Sequence, residues 1–567
     1  MDHAIQTPVE DLSKKILSKQ IDKQDAMRLF QSLDKESQLQ VLAIVRRAEG
    51  ITPAHDGKGA ARVLKTLDQR DLTEEHRAWI AALVEKYDRF VPKSKANVLE
   101  QIHFVDQRRA FRPIDDLKKL DFQITYTKAE GAYVHDADGN RYIDISGDMG
   151  VNLFGHRAPF LIDAIKHSLD QGIPLVGDSD VIFRACKLFC EITGHERALF
   201  MPSGAEAVMF AVRIARAATG RRKIVLFDGS YHGFSDAAAP GILQDFADQL
   251  IVLEYGDMAS LDTIEQRAGE IATVLVEPVQ SPHPYKKPVE FLKALRQLTI
   301  EKDIPLIFDE TITGFRVSPQ GAQGLFGIHA DMATYGKIPG GGLPTGVIGG
   351  AAKYMDLVDG GTWRFDDDGM PSAKRTGLVG THLQNALEIA AALAVLGEIS
   401  KRSAETTPDG TLAGFQQELD RKTTDLANAL NAFFREERLP VVIDTFGSLF
   451  RVRFLDSYRD VTEALFFILL RMEGVETNLQ GDCFLSTVHT DKDIEAVVAG
   501  FKASMSNLKS NGFFREADAE PMQETELLPE TPAVARPQSS DAASRNEMER
   551  LRALLAADLT LAEDQGV

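Results

Sequence analysis

Residues 305–350 read PLIFDETITGFRVSPQGAQGLFGIHADMATYGKIPGGGLPTGVIGG, and this stretch decides both the fold and the chemistry of the chain. An apolar run, Leu306 to Phe308, ends in two acids, Asp309 and Glu310. Further on comes Lys337, followed by Ile338, Pro339 and the triplet Gly340, Gly341 and Gly342. A short apolar run that stops at an acid reads as a buried strand with a carboxylate at its C-terminal end. Taken singly, the acids are an ordinary strand end and the lysine an ordinary loop residue. Taken together, they offer an amine that can join a carbonyl carbon and a carboxylate that can hold a positive charge near it.

On the N-terminal side of this stretch, strands alternate with helices from about Ile192 onward. ALFMP precedes GAEAVMFAVRIARAATG, KIVLF precedes SYHGF, and ATVLVEPV precedes EFLKALRQLTIEKD; PLIFDE comes next and TGVIGGA closes the run. That alternation predicts an α/β fold with a mainly parallel sheet covered on both faces. Ligands of such sheets bind beyond the C-terminal ends of the strands, where Asp309 is expected. Residues 171–383 are assigned to this large unit.

Residues 111–170 and 384–510 are expected to form a smaller α+β unit. ITYTKAEGAYVHDADGNRYIDIS places Asp138-Gly139-Asn140 between runs rich in Tyr, Val and Ile, a hairpin signal. The later stretch mixes long helices with VVIDTF, SLFRVRF and CFLSTVHT. Residues 1–50, where Leu12, Ile16, Ile21, Ala26, Leu29 and Leu33 are separated by charges, predict a helical N-terminal extension. Residues 51–110 read as a linker, ITPAHDGKGA, and a helical lead-in around EEHRAWIAALVEKYD. Residues 515–567 are acidic, rich in Pro and poor in aromatics, and are expected to be mostly disordered.

Of the 567 residues, 84 are acidic and 64 basic, a net charge of −20, which argues against nucleic acid as a partner. No uninterrupted apolar run of about 18 residues occurs, so no membrane span is expected. The start, MDHAIQTPVEDLSKK, lacks the basic-then-apolar order of a secretory signal. Three cysteines, Cys186, Cys190 and Cys483, make no disulfide framework, which suits a reducing cytoplasm, and no metal site is expected.

Four further features fall after predicted strands, at a helix start or in a loop. Ser203-Gly204-Ala205 lies between ALFMP and a long helix, where backbone N–H groups, the helix dipole and the Ser203 hydroxyl make a phosphate-sized anion site. Tyr231-His232-Gly233 follows KIVLF, where an aromatic can cover the face of a planar ligand. Glu277-Pro278 ends ATVLV and offers another carboxylate, and Gly380-Thr381 follows PSAKRTGLV and offers an N–H and a hydroxyl to an anion. Each alone has an ordinary reading as a cap, a pocket wall, a strand end or a loop. Their joint order points to one site.

With these motifs the chain resembles the class III (subgroup II) aminotransferases of pyridoxal phosphate (PLP) fold type I, which include glutamate-1-semialdehyde aminomutase and the ornithine and ω-amino acid aminotransferases. The resemblance runs from about Gly131 to Leu508. It rests on GAYVHDADGNRYIDIS, on Gly155-His156 with Pro159, and on MPSGAEAVMFAVRIARAATGRRKIVLFDGSYHG. It continues through VLVEPVQ, LIFDETITGFR, GKIPGGGLPTGVIGG and Gly380-Thr381. It implies that Lys337 is the Schiff-base lysine and Asp309 the partner of the ring nitrogen. Thr311 and Tyr231 would flank the ring, with His232 beside it and Glu277 near its phenolic oxygen. Ser203, Gly204 and Ala205 would cradle the phosphate. Thr381, with Gly380, would reach the phosphate of a neighbouring subunit, which implies a homodimer with shared sites. Lys337, once freed, would shuttle a proton between substrate and cofactor, a role that calls for a depressed pKa.

The chain departs from the family in places. Ala205 stands where a Thr is usual, Ala386 where a Pro commonly follows the Asn, and Asp148 and Met149 where aromatics are frequent at the substrate entrance. Within the family, GVNLFGHRAPF, CFLSTVHTDKD and RFVPKSKANVLEQIHFVDQRRAFRP most resemble aminotransferases of polyketide and nonribosomal peptide assembly lines. That implies an amino acid donor (glutamate, glutamine or alanine) and a keto or aldehyde acceptor, carried in many such systems on an acyl carrier protein. Residues 1–50 and 545–563 would then be docking elements. The alternatives are a semialdehyde aminomutase and a non-catalytic interaction protein that kept the fold. A nicotinamide enzyme is disfavoured, because Gly340–Gly342 follows a lysine and makes no GxGxxG turn. Arg157, Arg316, Arg364 and Arg375 are candidates to bind the donor carboxylate.

Overall fold

Ile271–Val276, Leu306–Asp309 and Met332–Gly336 are buried along their whole lengths, as strands at the centre of a doubly covered sheet must be. They belong to a computed structural model that describes residues 72–104, 115–173, 179–235, 248–362, 365–366, 368–370, 374–378, 380–403, 414–455, 461–477 and 481–514. The expected N-terminal extension (1–50), the start of the linker and the acidic tail, with its segment 545–563, lie outside the described residues.

Three antiparallel strands come first: β1 (Tyr126–Glu130), β2 (Tyr133–Asp136) and β3 (Arg141–Asp144). The turn from β2 to β3 is the Asp-Gly-Asn turn read from the sequence. Gly139 takes a positive φ of 95°, and the Asp136 carboxylate accepts from the N–H groups of Asp138 and Asn140 at 2.9 and 2.8 Å.

The large sheet contains β4 (Arg197–Met201), β5 (Lys223–Phe227), β6 (Leu250–Leu253), β7 (Ile271–Val276), β8 (Leu306–Asp309), β9 (Met332–Gly336) and β10 (Gly346–Gly350). Their order across the sheet is β4-β10-β9-β8-β7-β5-β6. Five neighbours, β9 through β6, run parallel, while β10 is antiparallel to both β9 and β4. The reversal follows from the length of the connection. Between Gly336 and Gly346 the chain has only one short 3-10 turn, Ile338–Gly340, which is too little for a crossover back to a parallel strand.

The helix Gly204–Thr219 lies across this sheet. Ser203 caps it by accepting from the Glu206 N–H at 3.2 Å, and Gly220 ends it in the left-handed region at φ 68°. Its buried set, Ala207, Val208, Phe210, Ala211, Val212, Ile214 and Ala215, covers most of its circumference, so the helix is a core element and not a surface one.

The remaining strands, β11 (Val441–Phe446), β12 (Leu449–Phe454), β13 (Val475–Glu476) and β14 (Asp482–Phe484), are served by long helices at Phe415–Glu436, Val461–Met472 and Asp491–Ser510. β11, β12 and β14 form one antiparallel sheet, and β13 pairs in parallel with β3, tying the segment after Met472 to the hairpin after Tyr126. Among the described residues no helix is long and apolar enough to cross a membrane.

An ion pair is buried where these parts meet. Arg471 donates to Glu476 from Nε at 2.6 Å and from Nη2 at 2.7 Å, and from Nη1 to the Tyr87 hydroxyl at 2.7 Å. Tyr87 brings in the helix Glu74–Phe90. Replacing Glu476 by Gln would leave the Arg471 charge buried without its counter-ion. We expect E476Q to lower unfolding free energy by roughly 3–5 kcal/mol in denaturant titrations, and R471M to cost less, since the Glu476 carboxylate left behind can be neutralised by taking up a proton whereas the guanidinium stays charged.

Candidate active site

β9, β8, β7 and β5 lie side by side with their C-terminal ends pointing the same way, so residues distant in sequence arrive together. β9 delivers Lys337, β8 ends in Asp309, β7 is followed by Glu277, and the turn after β5 carries Tyr231 and His232.

Asp309 is 4% exposed and fully engaged. Its Oδ1 accepts from the Thr311 N–H at 3.1 Å, the Thr311 hydroxyl at 2.6 Å and the Thr334 hydroxyl at 3.2 Å; its Oδ2 faces His232 Nδ1 at 2.8 Å. Burial pushes the carboxyl pKa up, but the His232 contact and the Thr311 donors outweigh it and hold the group below its ordinary value. His232 is itself buried, and its second ring nitrogen, Nε2, has no partner among the described residues. Glu277 is also buried, and its Oε2 accepts from the Tyr231 N–H at 3.1 Å. Burial raises its pKa to about 7, with His232 opposing the rise and Asp309 adding to it.

Lys337 follows β9 with φ 58° and ψ −96°, a conformation that a residue with a side chain adopts only under constraint. The amine is largely buried. Desolvation lowers its pKa, Asp309 works against that, and Arg316 reinforces it.

The helix start at Gly204 comes very close to this point. A Cβ on Gly346 would lie 2.1 Å from the Ser203 carbonyl oxygen, and one on Gly336 would lie 3.2 Å from Thr311 Cγ2 and 3.3 Å from Gly204 Cα. Gly233 is equally confined, since its Cβ would sit 2.7 Å from that of Ala205. These glycines let the N–H groups at Ser203, Gly204 and Ala205 reach the space beside Thr311 and His232.

Glu310, next to Asp309, faces the opposite way. Its carboxylate accepts from the N–H groups of Ala322 and Gln323 at 3.0 and 2.8 Å and from Thr313, and burial raises its pKa to about 7. It holds the turn after β8, where Gly314 leaves no room for a side chain against Tyr335.

The structure brings Ser203, Gly204, Ala205, Tyr231, His232, Glu277, Asp309, Thr311 and Lys337 to one end of the sheet. Tyr231 is 54% exposed, with its side chain at the surface. Gly380 and Thr381 are exposed in the turn before the helix Ala386–Ser403, and no hydrogen bond among the described residues ties them to Lys337 or Ser203. In that turn the Asn385 side chain accepts from the Leu387 N–H at 3.0 Å, so Ala386 begins the helix without a proline. Arg157 and Arg375 are exposed, Arg364 lies outside the described residues, and Arg316 is buried. Asp148 and Met149 both have positive φ, 51° and 61°, in the segment leading to His156. His156 Nε2 meets Asp144 Oδ2 at 2.7 Å behind that segment. Thr334 escaped the reading of the sequence, although a threonine hydroxyl inside the fully buried β9, MATYG, was a signal that it had a buried partner.

Comparison with known proteins agrees with this geometry. The family Aminotransferase class-III matches residues 116–490, well over half of the chain. A glutamate-1-semialdehyde 2,1-aminomutase of Laribacter hongkongensis is 33% identical over 416 residues, covering 67% of this chain and 91% of the relative. A β-phenylalanine aminotransferase of Variovorax paradoxus superposes with a TM-score of 0.64 at 29% identity, over 76% of this chain and 97% of that one. A transaminase solved with PLP bound has a TM-score of 0.64 at 22% identity, over 74% of this chain and 99% of that one, and shows the same fold. The residues present fit PLP: a buried amine, a carboxylate held below its ordinary pKa near it, a buried histidine nitrogen without a partner among the described residues, and a helix start that glycines bring against Thr311 and the end of β9. This chain belongs to the class-III aminotransferases, PLP-dependent enzymes of fold type I.

Proposed function

We propose that the enzyme moves an amino group from an amino acid donor to a ketone or aldehyde carbon of a biosynthetic acyl intermediate presented by a carrier protein, in polyketide or nonribosomal peptide synthesis. The observation that carries the amino-transfer part is the meeting of Lys337 and Asp309 at adjacent strand ends, one amine held below its ordinary pKa and one acid held ionised. The assembly-line part rests on the sequence resemblance of residues 89–113, 150–160 and 483–493.

Lys337 Nζ would carry the cofactor and, when displaced by the donor amine, take a proton from the substrate carbon and return it at the other end of the transfer. Bound PLP supplies the electron sink that makes that carbon acidic. Asp309 would hold a positive charge on the ring nitrogen, and His232 would keep Asp309 oriented. The N–H groups at Ser203, Gly204 and Ala205 would take the phosphate. Tyr231, exposed in a single chain, would close over the ring when a second copy adds Gly380 and Thr381, so the working unit would be a homodimer.

A second reading is supported by the relatives: the chain matches semialdehyde aminomutases over nine-tenths of their length. It would rearrange one substrate and need no separate donor.

Three outcomes are expected. The purified protein with PLP shows a visible absorption band, and Lys337→Ala lacks it and loses at least about a hundredfold in turnover. Single amino acids bleach the band, and the aminated enzyme then returns to its starting spectrum faster with a carrier-bound ketone than with the free acid. Equal rates would remove the carrier from the proposal. Glutamate-1-semialdehyde alone gives no product; its rearrangement without a donor would favour the aminomutase.

A further inference from the structure

Gly147, Asp148, Met149 and Gly150 take φ of 51°, 51°, 61° and 85°, four left-handed residues in succession. The Gly150 N–H donates to the Ser146 carbonyl and the Asn152 N–H to the Gly147 carbonyl, each at 3.0 Å, which closes a left-handed turn. L-residues enter this region singly, and a run of them is costly, most of all at Met149. Glycine at 148 and 149 would follow the same path without that cost. The two side chains do not serve the core either: Met149 is 53% exposed and the Asp148 side chain 63%. Strain kept for the sake of exposed side chains points to something that they meet outside the chain.

The turn is pinned beside both arms of the site. On one side, Arg316 donates from Nη2 to the Gly150 carbonyl, from Nε to the Ile312 carbonyl at 3.0 Å and from Nη1 to the Ser448 hydroxyl at 3.0 Å. Ile312 follows Thr311, so one guanidinium ties the turn to the segment leaving Asp309. Three engaged donor positions also leave Arg316 poorly placed to receive a substrate carboxylate, the role considered from the sequence. On the other side, Asn152 donates from Nδ2 to the Asp148 carboxylate, and its Oδ1 lies 3.7 Å from the place of a Cβ on Gly342. Gly342 belongs to the glycine turn after Lys337, and Val151 to Gly155 line a small cavity together with Ile338 and Gly341 of that turn. The Asp148 carboxylate is therefore one amide side chain away from the turn that carries the amine.

Its charge is not cancelled there. His156 Nδ1 lies 3.7 Å from Asp148 Oδ2, but His156 Nε2 meets Asp144 Oδ2 at 2.7 Å, so those two residues already form a pair. No lysine or arginine pairs with Asp148 among the described residues, and its hydrogen-bond partner is a neutral amide.

We propose that Asp148 is a specificity-determining residue: from the left-handed turn its carboxylate meets the substrate chain, admitting neutral or cationic chains and turning away those that carry a second carboxylate. This rests on the reading of Lys337 and Asp309 given above and names the class of substrate that their site takes. A half-exposed charge acts across water, so the discrimination is modest and weakens with salt.

The test follows bleaching of the visible band of the PLP-loaded enzyme by glutamate, glutamine and ornithine, whose chains end in an anion, a neutral amide and a cation. D148N removes the charge and keeps a residue that tolerates the left-handed region. It should raise the selectivity for glutamate over glutamine about fivefold and lower that for ornithine over glutamine, through the half-saturating concentration and not the limiting rate. Added salt should move the wild-type ratios the same way and leave those of D148N in place. Should D148N fail to fold, D148G, which also frees the backbone, takes its place. Ratios that the substitution leaves unchanged, or a wild type that reacts with none of the three, overturn the inference. Absence of the band from the wild type, or its survival in Lys337→Ala, would instead overturn the reading of the site itself.

Discussion

The site depends on how closely the backbone at Ser203 and Gly204 approaches the ends of β9 and β10. Three glycines, Gly204, Gly336 and Gly346, meet there, and an added methyl at position 346 would overlap the Ser203 carbonyl. No side chain can be accommodated at such a distance, so the approach is set by composition. Once it is made, the start of a long buried helix lies against Thr311 and the end of β9. A helix set back by the width of one side chain would leave the amine and the anion seat too far apart for one small ligand to touch both.

The second constraint is electrical. Several ionisable groups are packed at the strand ends with little water, and each is held in a particular state by its neighbours. Asp309 stays ionised because four contacts converge on its two oxygens. Glu277 and Glu310, equally buried but with fewer or weaker donors, rise to about 7. The difference between the adjacent acids Asp309 and Glu310 shows how little side-chain type decides: one faces a histidine and two hydroxyl-bearing residues, the other caps a six-residue helix with backbone donors.

Much of this was legible in the chain itself. The run LIFD followed by a lysine before three glycines carries its own strand pattern and its own break. The alternation of β-branched runs with amphipathic helices fixes a mainly parallel sheet. What the pattern could not give was direction and distance. GVIGG has the composition of a buried strand in either orientation, and only the short connection before it makes β10 run backwards. The partners of Arg316 lie 166 residues before it and 132 after it, and no local spacing announces them. Gly380 and Thr381 show the converse limit: as a motif they are plain, yet in the single chain they are exposed and no hydrogen bond among the described residues ties them to Lys337 or Ser203.

The backbone at Lys337 carries a cost of its own. A left-handed φ at a residue with a long side chain is tolerated because the neighbouring strand and the glycine turn over-determine it. On the role proposed for Lys337, the amine justifies that cost, and glycine would relax the same turn. Descendants released from selection for amino transfer would therefore gain folding stability by losing this lysine, and decay at this position would be rewarded before it was merely permitted.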